Sequence, residues 1–321
     1  MTFLVILLAL LINHYWQRDT ALFRDEWFVS VQRGLRARVQ ALHPEQPEPG
    51  PLYPFALLCL PPLLLIALLF AVQGVLLGSV TLLIHVALLL VLFDRVNLRS
   101  FTEAYLNRWR SGDFEAAFLL LQERWGQLVL DNAGDRDAVH EQFCRYIVSS
   151  SFERLFAVVF WYLVLGPAAA LLYHVTVLYR SRGVQDHDSD AGRLVLRLGY
   201  LLEWVPARLL ALTFSLAGDF VAAFGRLREL WLDTDRSAVS LVLACALAAA
   251  GSAQRTLFVK ESPQGDSIDT VLIESDEAGG HAHAALHSAQ QAQDMLALLQ
   301  RSQVIWVTLL AVLAVYGAGA S

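Results

Sequence analysis

The sequence predicts an all-α integral membrane protein with about four to six transmembrane or re-entrant helices, joined by amphipathic interfacial and cytoplasmic helices. Three observations carry that expectation. Hydrophobic residues make up 56% of the 321-residue chain and charged residues only 17%, against about 25% charged in an ordinary soluble domain. Several apolar runs approach or reach the roughly twenty residues that cross a bilayer as helix. The main polar stretch between them, 94–152, shows no strand-like alternation of any length.

Charge is unevenly laid out. The net charge is −6, yet arginines dominate the first half, while Asp and Glu concentrate around 261–277. Lys260 is the sole lysine. No continuous basic run exists, which argues against nucleic acid as a main partner. Cys59, Cys144 and Cys245 include no CxxC pair for zinc or redox exchange, so they read as small buried hydrophobes.

Residues 1–16 form the first element, a short membrane anchor with Tyr15 and Trp16 at the interface. No basic leader and no small-residue cleavage site mark it as a removable signal. Residues 17–54 carry Arg18, Arg24, Arg33, Arg36 and Arg38 among apolar residues at roughly helical spacing. That pattern predicts an amphipathic cytoplasmic segment. It ends in a linker, His43 to Pro51, whose repeated prolines exclude helix. Residues 55–93 are almost wholly apolar around Gln73-Gly74, and predict a transmembrane hairpin, 55–72 and 75–93. His85 inside it reads either as a packed, hydrogen-bonded histidine or as an intramembrane functional one.

Residues 94–152 predict a cytoplasmic helical layer. Asp113 suits the N-cap of its second helix, because a carboxylate there accepts free amide protons of the first turn. Residues 153–251 form the membrane core. It opens on Glu153 to Tyr179, a stretch of span length broken by Gly166-Pro167 and bracketed by Arg154, Arg180 and Arg182. The loop after it contains Asp186-His187-Asp188, which reads as solvated, since adjacent residues share no helical face and no further ligand follows. Next come residues 193–228, one kinked helix or a pair, in which Glu203 and Arg208 interrupt an otherwise apolar run. Charge facing lipid in mid-bilayer costs about 2.5–3.5 kcal/mol, so this helix is expected at the interface or buried in protein. Glu203 and Arg208 are five apart and meet imperfectly on one face. Residues 238–251 are small, apolar and suited to tight packing.

Residues 252–301 are predicted to be an acidic polar loop, with Thr256–Val259 and Thr270–Ile273 as candidate short strands. His281, His283 and His287 follow without a neighbouring carboxylate or cysteine, and read as solvated rather than metal-binding. Residues 302–321 predict the last transmembrane helix. Arginine bias places 17–54 and 94–152 on the cytoplasmic side. Topology after residue 155 stays open: either the Gly166-Pro167 break makes its segment re-entrant, or 198–221 is an additional span.

Three stretches carry a family resemblance: Phe160-Trp161 with Leu165-Gly166-Pro167-Ala168-Ala169-Ala170-Leu171-Leu172-Tyr173, then Glu203-Trp204-Val205-Pro206-Ala207-Arg208-Leu209, then Ala217-Gly218-Asp219-Phe220. Together they resemble the CobD/CbiB cobinamide-phosphate synthase superfamily, over roughly residues 94–250. Membership would imply condensation of a corrinoid carboxylate with an amine, using ATP. The polar signatures flanking the family's Phe-Trp span are replaced here by Ser149-Ser150-Ser151-Phe152-Glu153-Arg154 before it and Val175-Thr176-Val177-Leu178-Tyr179-Arg180 after it. An ATP-and-metal site needs such groups for phosphate and cation.

The short anchor, the Asn97-Leu98-Arg99 start and the overall size are instead similar to the AmpE branch of that superfamily. This resemblance implies a multi-pass protein of the bacterial inner membrane. It implies a non-catalytic or weakly catalytic regulatory role in β-lactamase induction and peptidoglycan recycling, with the cytoplasmic amidase AmpD or a muropeptide-derived ligand as partner beside the lipid bilayer. The alternative it leaves is an ATP-dependent amide-forming enzyme like the synthases. The candidate ligand-binding residues are Glu153, Arg154, Trp161, Glu203, Trp204, Arg208 and Asp219. No catalytic set, metal or cofactor is expected, and ATP enters only through the wider resemblance.

Overall fold

The computed structural model describes residues 2–15, 26–42, 52–72, 79–93, 98–125, 136–182, 190–233, 237–251 and 277–319. Among these residues every regular element is helical. The predicted linker at 43–51, the Asp186-His187-Asp188 loop and both candidate strands lie outside them, as do Gln73-Gly74. The side chains of His281, His283 and His287 lie outside the described ones as well.

The chain divides into two compact units. The first comprises 1–96, 150–207 and 307–321. In it, α1 (Thr2–Tyr15) packs on α4 (Ser79–Leu92), and α2 (Glu26–Leu42) packs on α3 (Leu52–Val72). The α3 helix carries Pro61 and Pro62 internally. Its partner is α9 (Pro167–Arg182), which also packs on α8 (Ala157–Leu165). Between α8 and α9 the backbone turns at Gly166, whose φ of 86° is costly for any residue with a Cβ. Pro167 then opens α9, where its missing N–H costs nothing. Glycine and proline thus each sit where their backbone chemistry is needed, and two helices form in place of one span. His85 is hydrogen-bonded: its Nδ1 lies 2.9 Å from the Tyr162 hydroxyl.

The second unit comprises 97–149 and 208–306. The helices α5 (Leu98–Arg110) and α6 (Phe114–Trp125) pack together across a turn. There Asp113 Oδ1 accepts the Ala116 amide at 3.0 Å, the N-cap its position implied. Tyr105 of α5 stacks on Phe143 of α7 (Arg136–Ser151) at 3.6 Å between centroids. Burial pushes the Tyr105 phenol well above its ordinary range, and Cys144 adds to that, so it stays protonated. Later, α11 (Phe220–Leu230) packs on α12 (Ala238–Ala249). Gly218 makes this possible: a Cβ there would lie 2.5 Å from the Ala249 carbonyl oxygen, which accepts the Asp219 amide at 2.9 Å.

Two expectations need correction. Residues 252–301 are not a polar loop throughout, because α13 runs from Glu277 to Gly319. Good helix formers fill its first half. Ala289, Ala292, Met295, Leu299 and Ser302 also recur at three- and four-residue spacing and are buried. The final apolar helix accordingly begins earlier than the predicted 302. The predicted boundary between the helical layer and the membrane core at 152/153 is not a break either. The helix α7 continues through a π turn, Phe152–Phe156, into α8, as one helical stretch from Arg136 to Leu165. Nothing in that sequence breaks a helix before Gly166.

Three helical stretches are long and apolar enough to cross a membrane: Tyr53–Val72, Arg136–Leu165 and Ser288–Leu313. The fold is that of an all-α membrane protein.

Candidate functional site

The candidate site grows from the π turn. A π turn admits an extra residue per turn, shifts the face its side chains present, and recurs at functional positions. Here it carries Glu153 and Arg154, both half-buried. Facing Glu153 is Arg180, near the end of α9, and beyond it Glu203, inside α10 (Asp190–Ala217).

Arg180 joins the two acids. Its Nη2 donates to Glu153 Oε1 at 2.7 Å, and its Nη1 donates to Glu203 Oε2 at 2.9 Å. Glu203 Oε1 sits 2.8 Å from Nη2 without an aligned hydrogen bond. Glu203 is 3% exposed. Two carboxylates share one guanidinium, whose planar fork suits such recognition. The buried Tyr173 hydroxyl lies beside Glu203, also without an aligned partner.

A recess lined by Thr176, Arg180, Gly199 and Glu203 adjoins the cluster, with about 10 Å³ of free volume, room for roughly one water molecule. Gly199 keeps α9 and α10 close there: a Cβ on it would lie 3.3 Å from Thr176 Cγ2. This cluster can hold a proton or a small polar group next to Glu203. Among the described residues no group of three metal-ligating side chains gathers anywhere.

The other candidate residues do different work. Pro206 has no amide hydrogen, which leaves the Leu202 carbonyl one turn earlier without its helical donor. Trp161 supplies the replacement, its Nε1 donating to that carbonyl at 3.0 Å. Arg208 and Asp219 bind opposite ends of α11. Asp219 is its N-cap and accepts the Ala222 amide at 3.1 Å. Arg208 donates from Nε and Nη2 to the carbonyl of Trp231, just past the C-terminal end, at 2.9 and 2.8 Å. An anion at the start and a cation at the finish oppose the helix dipole. Trp204 is half-buried on α10.

Of the seven candidates, the structure therefore gathers Glu153 and Glu203 around Arg180. It assigns Trp161, Arg208 and Asp219 to backbone groups. Arg180 was visible in the sequence only as one of the arginines bracketing a span. Tyr173 carried no signal, since a tyrosine in an apolar helix reads as packing.

Compared with known proteins, the chain is 31% identical over 143 residues to the cobalamin biosynthesis protein CobD of Chromobacterium violaceum. The match covers 42% of this chain and 43% of that protein, so the chain spans less than half the length of the curated relative it matches. No family model matches the chain, and no solved structure does. Fold, site and comparison define a class: a helical membrane protein with a partial likeness to CobD.

Proposed function

We propose that the protein is a non-catalytic or weakly catalytic regulator of the bacterial inner membrane, acting in β-lactamase induction and peptidoglycan recycling. One observation supports the loss of catalysis. The chemistry-bearing side chains of the stretches that resemble the synthases are engaged inside the protein. Glu153 and Glu203 hold Arg180, Arg208 and Asp219 hold α11, and the recess beside Glu203 admits a single water-sized group. A triphosphate needs cationic and amide donors plus carboxylates for its metal, and Arg180 already serves two acids. The regulatory role rests on the resemblance of the short anchor and the Asn97-Leu98-Arg99 start to the AmpE branch. The partners it implies are the amidase AmpD or a muropeptide-derived ligand.

Purified protein supplied with ATP, cobyric acid and aminopropanol is expected to show no turnover above background. Deleting the gene is expected to change quantitative β-lactamase reporter levels under induction. Robust turnover that Glu203→Gln abolishes would overturn the proposal, and so would an unchanged reporter. The likeness to CobD favours a second reading, an ATP-dependent amide-forming enzyme, and the turnover assay separates the two.

A further inference from the structure

The arms on either side of Gly166 run back along one another. Glu153 and Arg180 stand at their far ends, yet Arg180 Nη2 donates to Glu153 Oε1 at 2.7 Å. Helices α8 and α9 pack together between that bond and the turn. The segment is therefore a hairpin, and its two ends lie at one level.

Neither arm is long enough to cross a membrane. The charge-free part before the turn, 155–165, gives about 16 Å of helix, and that after it, 167–179, about 20 Å. A bilayer's hydrocarbon core is about 30 Å thick. A second ruler agrees. The Tyr162 hydroxyl, one helical turn before Gly166, lies 2.9 Å from His85 Nδ1, and His85 stands in the middle of the apolar run 75–93. Gly166 is only about 6 Å further along the helix, so the turn falls within the depth that run occupies.

The outside of the hairpin fits acyl chains. Val164 and Leu165 at the turn are 56% and 66% exposed, whereas Tyr162, Tyr173, His174, Thr176 and Tyr179 are buried. The candidate span α3 packs on α9, and its Leu63, Leu64 and Phe70 are exposed as well. Hydrocarbon excludes unmet backbone polar groups, and the turn leaves few. The Gly166 amide donates to the Tyr162 carbonyl, the Gly166 carbonyl accepts the Ala170 amide, and Pro167 has no amide hydrogen. The exposed Arg193 and Arg197 belong to α10, which meets α9 at Thr176 and Arg180, in the half away from the turn.

We propose that residues 153–180 form a re-entrant hairpin, entering and leaving the bilayer on one face, with lipid acyl chains covering its tip at Val164 and Leu165. The bond between Glu153 and Arg180 closes its mouth. The acid cluster then belongs to one side of the membrane.

Single cysteines in an otherwise cysteine-free full-length chain, in vesicles of phosphatidylethanolamine and phosphatidylglycerol, test both parts. Leu165→Cys is expected to resist an impermeant maleimide from either side. A bimane label on it should be quenched most by lipid carrying a doxyl group deep in its acyl chains. Reaction with the maleimide would mean that the turn emerges into water. Strongest quenching by a headgroup label would mean a tip at the surface, and no quenching would mean a protein cover; each of these overturns the proposal. At the base, Ser150→Cys and Ser181→Cys are expected to react from the same side. Reaction from opposite sides would mean a single crossing, and no reaction at either position would mean a base closed to water; both refute the hairpin.

Discussion

Glu203 and Arg208 stand five residues apart on one apolar helix, and both are almost fully buried. The protein neutralises them by different means. Glu203 is met by a guanidinium that it shares with a second acid, Glu153, to which Arg154 also lends positive charge. Arg208 is met by a backbone carbonyl at the end of a short helix. Burying two acids on one shared guanidinium is a costly arrangement for structure alone, whereas a capped helix end is an ordinary structural device. The comparison points to the Glu203 side as the place to look for chemistry and to the Arg208 side as framework.

The sharpest way to break that contrast is Arg180→Met. Removing the shared cation leaves two carboxylates facing one another, and losing one partner of a buried ion pair costs about 3–5 kcal/mol. The loss is expected as a large drop in unfolding temperature in detergent. The triple variant Glu153→Gln, Arg180→Met, Glu203→Gln should recover most of it; no recovery would show that Arg180 acts through packing.

Arg208→Met is expected to cost less, about 2 kcal/mol, the scale of stranding a buried carbonyl and a helix end. An effect equal to that of Arg180→Met would erase the distinction between the two regions. In the framework region Gly218→Ala should cost about 1.5 kcal/mol, since its methyl group meets the Ala249 carbonyl and the two helices must part. Gly225→Ala on the same unit has nothing within 4 Å and serves as the control, with unchanged or improved stability. Smallest of all is Glu103→Gln. Its pairing with Arg99 is exposed on both sides, and equilibrium unfolding should register a change below about 0.5 kcal/mol.

Much of the helical architecture is legible in the residues because its signals are local. Gly166-Pro167 announces a break, Asp113 announces a cap, and long apolar runs announce spans. The site is harder to read. Glu203 and Arg208 stand out as charges in an apolar run, but their partners lie 23 residues away at Arg180 and 23 away at Trp231. No periodicity encodes either distance. Trp161 resembles an aromatic interface marker until Pro206 is seen to free a carbonyl opposite it. The start of α13 is missed because polar residues around 280–300 mask a stripe of small buried ones, mostly alanine, which hydropathy weighs lightly. The π turn has no composition signature at all.

The three-way link through Arg180 also bears on the order in which the chain assembles. Synthesis proceeds from the N-terminus, so Glu153 and Arg180 are made before Glu203. The buried acid of α10 arrives to find a guanidinium already waiting. Docking of this helix is therefore conditional on the helices that precede it. In refolding followed by hydrogen exchange, Arg180→Met should delay protection of the α10 amides more than that of the α5 amides.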